Sequence, residues 1–204
     1  MQMFYERYPM LLDLKEDIER VIEILHTCHK NSGTLLLCGN GGSAADCSHI
    51  AGELLKGFMQ KRPLDDETKE RFGERRDVAD KLQNGVCAIS IPDQTAVLTA
   101  VCNDVDPSLM YAQLVWAYGK EDDVLLCIST SGNAENVYNA AITAKAKGIT
   151  VIGLTGKNNC KLDNVADVVL HVPETETYKV QELHLPVYHY ICAELERKLF
   201  KEEK

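Results

Sequence analysis

Apolar residues follow two different spacings along this 204-residue chain, and together they predict a regular order of helices and strands. Between residues 4 and 29 the apolar positions recur every three or four residues, which is the spacing of an amphipathic helix. Short apolar segments suited to strands follow at 34–38, 86–91, 124–128, 150–154 and 168–172. Helical spacing follows each of them, at about 44–58, 94–102 and 134–147, shortly after 154, and at 177–200.

Strands that are apolar throughout, and are separated by helices, are typical of a parallel sheet covered on both faces. The predicted fold class is therefore α/β, a three-layer αβα sandwich with a doubly wound, five-stranded parallel sheet. The length favours one domain over residues 1–204, with an N-terminal helix ahead of the sheet. Residues 60–84 are highly charged and include Pro63 and Gly73, which predicts a surface insertion with room for one short exposed helix.

The formal net charge of −9 disfavours nucleic acid and anionic membranes as partners, because both usually bind a basic surface. No apolar stretch approaches the roughly 20 residues of a membrane span, and the first 15 residues lack an export signal. We therefore expect a cytoplasmic protein. Its eight cysteines are scattered singly, as small core residues in a reducing compartment are. Backbone amides and hydroxyl groups would have to hold any anionic ligand.

A glycine-rich turn, C-G-N-G-G-S at residues 38–43, lies between the first predicted strand and its helix. Such a turn exposes unpaired amides at a helix N-terminus, where the helix dipole favours an anion. The candidate ligand-binding residues are Asn40, Gly41, Gly42 and Ser43. A turn without any ligand is the alternative, because short glycine patterns also occur by chance.

A second polar turn, which we call the serine turn, contains Ser129, Thr130 and Ser131 and follows the third predicted strand. Its hydroxyl groups could bind a phosphate, although Ser131 or Asn133 could instead simply cap the next helix. Both turns follow strands of a parallel sheet, at the edge where open α/β sheets bind their ligands. Together they favour a phosphate-bearing ligand.

Candidate metal ligands lie on two predicted helices. His49 and Glu53 are four residues apart and so share one helix face, although an exposed pair without a metal is the alternative. On the last helix, Gln181 is about 60° from His184 and about 80° from His189, so either histidine could share its face. One histidine could instead lie in the core with the other exposed. Pro186 is expected to kink this helix.

The segments LLLCGNGGSAADCSHIAGELLKGF, CISTSGNAENV, VIGLTGK and VQELHLPVYH resemble the phosphoheptose isomerases of the sugar isomerase (SIS) family over nearly the whole chain. The resemblance implies conversion of sedoheptulose 7-phosphate to D-glycero-D-manno-heptose 7-phosphate through a metal-assisted enediol mechanism. It also implies a homotetramer, for which the long first helix is a candidate contact element.

The resemblance further implies one zinc ion per subunit and assigns the site residues. Its metal ligands correspond to His49, Glu53, Gln181 and His189. Glu53 and His189 correspond to the catalytic acid and base, which leaves His184 a supporting role. The implied substrate contacts are Asn40, Gly41, Gly42, Ser43, Asn103, Asp104, Ser129, Thr130, Ser131 and Gln181.

Some features depart from the family pattern. Ala134 replaces a hydroxyl residue, Tyr178 replaces an acidic residue, and residues 60–84 lengthen one connection, which bears on the choice of sugar. Gln181 and His189 are also about 12 Å apart along a helix axis, too far to share an ion without a distortion or a second subunit. The alternative function is a non-catalytic SIS phosphosugar sensor or a replication-type regulator. A dinucleotide-binding protein is disfavoured because Ala44 replaces the third glycine of its motif.

Overall fold

The computed structural model describes residues 2–200, which form a five-stranded, entirely parallel sheet with helices on both faces. The strands are β1 (Leu35–Gly39), β2 (Ala88–Ser90), β3 (Val124–Ile128), β4 (Thr150–Thr155) and β5 (Val168–His171). Their order in the sheet is β2-β1-β3-β4-β5, so the chain reverses direction across the sheet between β1 and β3. The predicted α/β fold with its five-stranded parallel sheet is confirmed.

The helices are α1 (Gln2–Arg7), α2 (Lys15–Lys30), α3 (Gly42–Leu55), α4 (Asp66–Glu70), α5 (Arg76–Ala79), α6 (Thr95–Asp104), α7 (Met110–Tyr118), α8 (Glu135–Ala146) and α9 (Thr177–Leu199). Alternate residues of β1 face opposite sides of the sheet. Leu35 and Leu37 pack in one core with α2, α3 and α9. Leu36 and Cys38 pack in the other core with α6, α7 and α8. The sheet and the helices packed on its two faces are the three predicted layers, with one core between each pair of layers.

Two predicted elements have different bounds in the structure. The single helix expected over 4–29 is divided, because Tyr8 leaves the helical region ahead of Pro9 and a 3-10 turn, Pro9–Leu14, comes before α2. The strand expected over 86–91 is limited to the three residues of β2, an edge strand with one neighbour. Its extension is prevented by a 3-10 turn at Ile91–Asp93, in which Pro92 has no amide hydrogen to donate.

Residues 60–84 form α4, a 3-10 turn and α5, and within this segment only Arg62 and Ala79 are buried. The two ends of the segment meet where Asn84 donates a backbone hydrogen bond to the carbonyl of Arg62, at 2.7 Å. Its other ion pairs, such as Arg71 with Glu67, are at least partly exposed and stay within the segment. Across residues 2–200 no helix has both the length and the apolar character that crossing a membrane would require.

Candidate active site

The glycine turn connects β1 to α3, and its conformation depends on glycine. Gly41 has a φ of +56° and directly precedes α3, where no side chain caps the helix. Gly39 lies so close to β3 that a Cβ atom there would be 2.8 Å from the carbonyl oxygen of Ile128. The hydroxyl of Tyr111, from α7, donates to the carbonyl of Gly39 at 2.6 Å. The glycine turn is therefore held in a fixed position at the edge of the sheet, where α3 begins.

Asn40 links the glycine turn to the neighbouring connection between β3 and α8. Its side-chain amide exchanges two hydrogen bonds with the side chain of Asn136, each 2.9 Å long. Asn136 is in the first turn of α8 and was not among the predicted site residues. The two residues are 96 positions apart, so no local pattern could have paired them.

The serine turn lies beside the glycine turn, because β1 and β3 are neighbours in the sheet. Ser129 is buried, Thr130 is half-buried and Ser131 is exposed. Neither Ser131 nor Asn133 caps α8: Ala134 precedes the helix and makes no side-chain hydrogen bond to it. Capping is therefore not the role of these side chains, and the hydroxyl of Ser131 is left exposed beside the start of α8.

His49, Glu53 and His189 come together between α3 and α9. The Nε2 atom of His49 is 3.2 Å from Oε1 of Glu53 and 3.3 Å from Nε2 of His189. One candidate ligand atom from each residue lies within 4.8 Å of the other two. Burial, and then the neighbouring imidazole of His49, lower the pKa of His189. A lowered pKa favours the neutral imidazole, the form that binds a metal or accepts a proton.

Behind His49 lie two residues that were not among the predicted site residues. The hydroxyl of Tyr188 is 3.0 Å from Nδ1 of His49 and 3.1 Å from Oδ1 of Asp46. Burial raises the pKa of Asp46 and also that of Tyr188, whose phenol therefore keeps its hydrogen. Asp46 is three residues before His49 on α3, a spacing that sequence reasoning could have used.

Gln181, on α9, packs against the start of α3 and not beside His49, Glu53 and His189. Its amide packs directly on Gly42: a Cβ atom at Gly42 would be 2.3 Å from Nε2 of Gln181. Gly42 is seven residues, or about 10 Å of helix, before His49. Among residues 2–200 no hydrogen bond joins Gln181 to the other three predicted ligands, and α9 continues through Pro186 as one helix.

Asn103 and Asp104 end α6 and are exposed. The amide of Asn103 donates to the carboxylate of Asp104 at 2.8 Å. Over the described part of the chain, the hydrogen bonds of these two side chains do not reach either turn.

Comparison with known proteins decides the family. The sequence model of the SIS domain family matches residues 10–82 and 79–156 of this chain. A phosphoheptose isomerase of Clostridium acetobutylicum is 39% identical over 188 residues, covering 92% of this chain and 85% of the relative. The chain belongs to the phosphoheptose isomerase family. This confirms the resemblance seen in the motifs, and with it the expectation of an aldose-ketose isomerase acting on a sugar phosphate.

Solved structures of phosphoheptose isomerases have the same fold as this member of the family. The structure from Francisella tularensis superposes with a TM-score of 0.79 at 29% identity, covering 94% of this chain and 91% of that one. The structure from Neisseria gonorrhoeae gives a TM-score of 0.76 at 30% identity, covering 93% and 90%. The likeness extends over nearly the full length, so the phosphoheptose isomerase fold includes α9 as well as the glycine turn.

Beyond the metal-ligand candidates of this phosphoheptose isomerase, a buried ion pair joins α9 to the segment that follows α3. Arg62 donates through Nε to the Glu196 carboxylate at 2.7 Å and through a terminal nitrogen to the carbonyl of Leu54 at 2.7 Å. The same carboxylate accepts from the backbone amides of Phe58 and Met59, at 2.8 and 2.7 Å. Burial raises the pKa of Glu196, but these amides and the guanidinium outweigh it and the net pKa is lowered.

His184, one turn after Gln181, is completely buried in α9, and among the described residues no side chain bonds to its ring, although the backbone of Thr155 opposes the fall in its pKa. Burial lowers its pKa to about 4. Of the two histidines between which the helical spacing left a choice, His189 therefore reaches Glu53 and His49, whereas His184 lies in the core as a neutral imidazole.

Proposed function

We propose that this chain interconverts sedoheptulose 7-phosphate and D-glycero-D-manno-heptose 7-phosphate through an enediol. The observation that carries the proposal is the meeting of one carboxylate and two imidazoles between α9 and α3, the helix that follows the glycine turn. Aldose-ketose isomerisation needs a base, an acid and a group that stabilises the developing oxyanion. Its curated relatives are named phosphoheptose isomerases, which supports the seven-carbon substrate.

We further propose that one zinc ion per subunit is held by His49, Glu53 and His189. The spacing of their atoms fits: two nitrogens bound tetrahedrally to zinc lie about 3.3 Å apart, and the two Nε2 atoms here are 3.3 Å apart. Two imidazoles and one carboxylate are also a donor set typical of catalytic zinc. When bound, the metal would act as a Lewis acid on the oxygens of the sugar. Gln181, the fourth predicted ligand, lies against Gly42, and we propose that it contacts the substrate there.

We propose that the two turns bind the substrate. The hydroxyl groups of Ser129, Thr130 and Ser131 would bind the phosphate together with the free amides that begin α8. Asn40, Gly41, Gly42 and Ser43 would contact the sugar beside them. A neutral set of donors suits an acidic chain, because it binds an anion without a basic surface.

The proton transfers are assigned to Glu53 and His189. In the forward direction Glu53 takes the proton from C1, the electron pair forms the C1–C2 double bond, and the charge collects on O2. His189, neutral at the start, accepts the O1 proton and donates it to O2, while Glu53 delivers its proton to C2 as the carbonyl forms at C1. Both groups end the cycle in their starting forms.

The test is incubation of zinc-loaded protein with sedoheptulose 7-phosphate, followed by NMR of the sugar products. We expect the aldose heptose 7-phosphate to accumulate with the wild-type protein and with Glu70→Gln, an exposed control on α4. Glu53→Gln should lower kcat at least a hundredfold while zinc analysis still finds metal. Full activity in Glu53→Gln would remove the base assignment, and a wild-type protein that leaves this sugar unchanged would refute the substrate.

We also propose that the protein is a homotetramer of the cytoplasm. Exposed apolar side chains on the first segment, Met3, Met10 and Leu12, support its use as a subunit contact. Light scattering on the purified protein measures the mass directly, and a monomer would contradict the proposal.

A further inference from the structure

The Tyr188 hydroxyl lies between a carboxylate and an imidazole that the fold brings from another helix. It is 3.1 Å from Oδ1 of Asp46 and 3.0 Å from Nδ1 of His49. Tyr188 itself is 2% exposed, so its hydroxyl has little access to water. The hydrogen-bond partners of the hydroxyl are therefore Asp46 and His49.

Counting hydrogens fixes the direction of both bonds. A phenol has one hydrogen to donate, and the carboxylate of Asp46 can only accept. The Tyr188 hydroxyl therefore donates to Asp46, and its oxygen accepts a hydrogen from Nδ1 of His49. A neutral imidazole carries one ring hydrogen, so this bond leaves a lone pair on Nε2.

The Nε2 lone pair points into the cluster of candidate ligands. Nε2 of His49 is the atom that lies 3.2 Å from the Glu53 carboxylate and 3.3 Å from Nε2 of His189. An unprotonated nitrogen beside a carboxylate oxygen is unfavourable alone and becomes favourable when a cation lies between them. The hydrogen bonds on one side of the ring thus match the ligand geometry on the other.

We propose that Tyr188 and Asp46 are positioning residues that hold His49 in the tautomer protonated at Nδ1, with Nε2 directed at a divalent cation. The inference rests on the metal site of the proposed function, but not on any particular sugar. Outer partners of this kind orient a metal-bound histidine and increase its basicity. The chain thereby contributes two side chains to the site that make no direct contact with the ion.

The tautomer can be measured without turnover. In protein labelled with ¹⁵N-histidine, two-bond ¹H–¹⁵N correlation spectra distinguish a protonated ring nitrogen from an unprotonated one, and the His49 signals are identified by their loss in His49→Asn. We expect Nδ1 to be protonated in both the metal-free and the zinc-loaded protein. An Nδ1 without hydrogen, with the hydrogen on Nε2, would overturn the inference whether or not the protein isomerises a sugar.

The second arm measures zinc affinity by competition with a chelator. Tyr188→Phe keeps the ring and removes the hydroxyl, and we expect zinc binding to weaken about 10- to 100-fold. The matched control is Tyr190→Phe, two residues later on α9, where the ring stacks on Phe4 with centroids 4.2 Å apart. Equal affinity in Tyr188→Phe and wild type would refute the positioning role, and a failed isomerase assay would leave this result unaffected.

Discussion

Glu196→Gln removes one charge from the buried ion pair at the far end of α3 and α9. The side chains of Arg62 and Glu196 are 0% and 1% exposed, so water cannot replace the lost partner. Besides Arg62, the carboxylate accepts backbone amides from Phe58, Met59 and Gln60, which belong to the chain leaving α3. The substitution keeps the size of the side chain, so its effect reports on charge and hydrogen bonding rather than on a cavity.

The expected loss is about 3–5 kcal/mol, because removal of one partner leaves an uncompensated buried guanidinium. The amide nitrogen of the new side chain also faces backbone N–H groups that previously donated to an oxygen, which adds to the cost. Domains of this size are stable by about 5–15 kcal/mol in total. The variant should therefore remain folded in water but lose a large fraction of its stability.

Urea unfolding at pH 7, followed by far-UV circular dichroism, measures the difference. The control is Glu194→Gln on the same helix, where the partner Arg197 is 56% exposed and the expected cost is below about 1 kcal/mol. The pKa of Glu196 is lowered in the folded protein, so its contribution is present above the unfolded value of about 4.3 and is lost as pH falls through the folded value. Equal unfolding midpoints for the two variants would refute the reasoning.

Three further predictions concern single sites. Gly42→Ala puts a methyl group on the amide of Gln181, so we expect the side chain to move and KM for the sugar phosphate to rise about tenfold. Gly52→Ala has open space in the same helix, and urea unfolding should show a gain of about 0.5–1 kcal/mol. The pKa of His184 is lowered to about 4, so urea unfolding should show about 3 kcal/mol lost between pH 6.5 and pH 4, where the unfolded chain binds the proton first. His184→Gln should lack that loss, and an unchanged pH dependence would contradict this assignment.

Local patterns were sufficient to predict the sheet and both turns, because each depends on neighbours in the sequence. Apolar runs give buried strands, and a glycine turn such as Gly39 to Gly42 gives the start of a helix wherever it occurs. The same reasoning placed His49 and Glu53 on one face of α3 from their four-residue spacing. It could not choose between His184 and His189, because a helical angle does not say which side of α9 packs on α3.

The remaining site residues depend on contacts between distant parts of the chain. Asn136 meets Asn40 across 96 positions, and Glu196 meets Arg62 across 134. The burial of Arg62 was also difficult to predict from the sequence, since no other charged residue of its segment is buried. A charge composition averaged over residues 60–84 cannot show that one arginine is buried.

The contacts between α3 and α9 follow one another in the same order along both helices, and this order explains how two helices can hold a metal site. Gln181 meets Gly42, Tyr188 meets Asp46 and His49, and Glu196 meets the chain that leaves α3. On α9 these residues are seven and eight positions apart, which returns to the same helix face, and their partners follow in the same order, so the two helices run parallel.

The metal-ligand candidates lie in the middle of this series. Moving His189 away from His49 would therefore require a contact on either side to break, including the ion pair at Glu196. It follows that Glu196→Gln, though well removed from the proposed ion, should weaken zinc binding as well as stability, because it frees the end of the helix that carries His189. A chelator competition assay that finds unchanged zinc affinity in this variant would show that the contacts at Gly42 and Asp46 hold the two helices together by themselves.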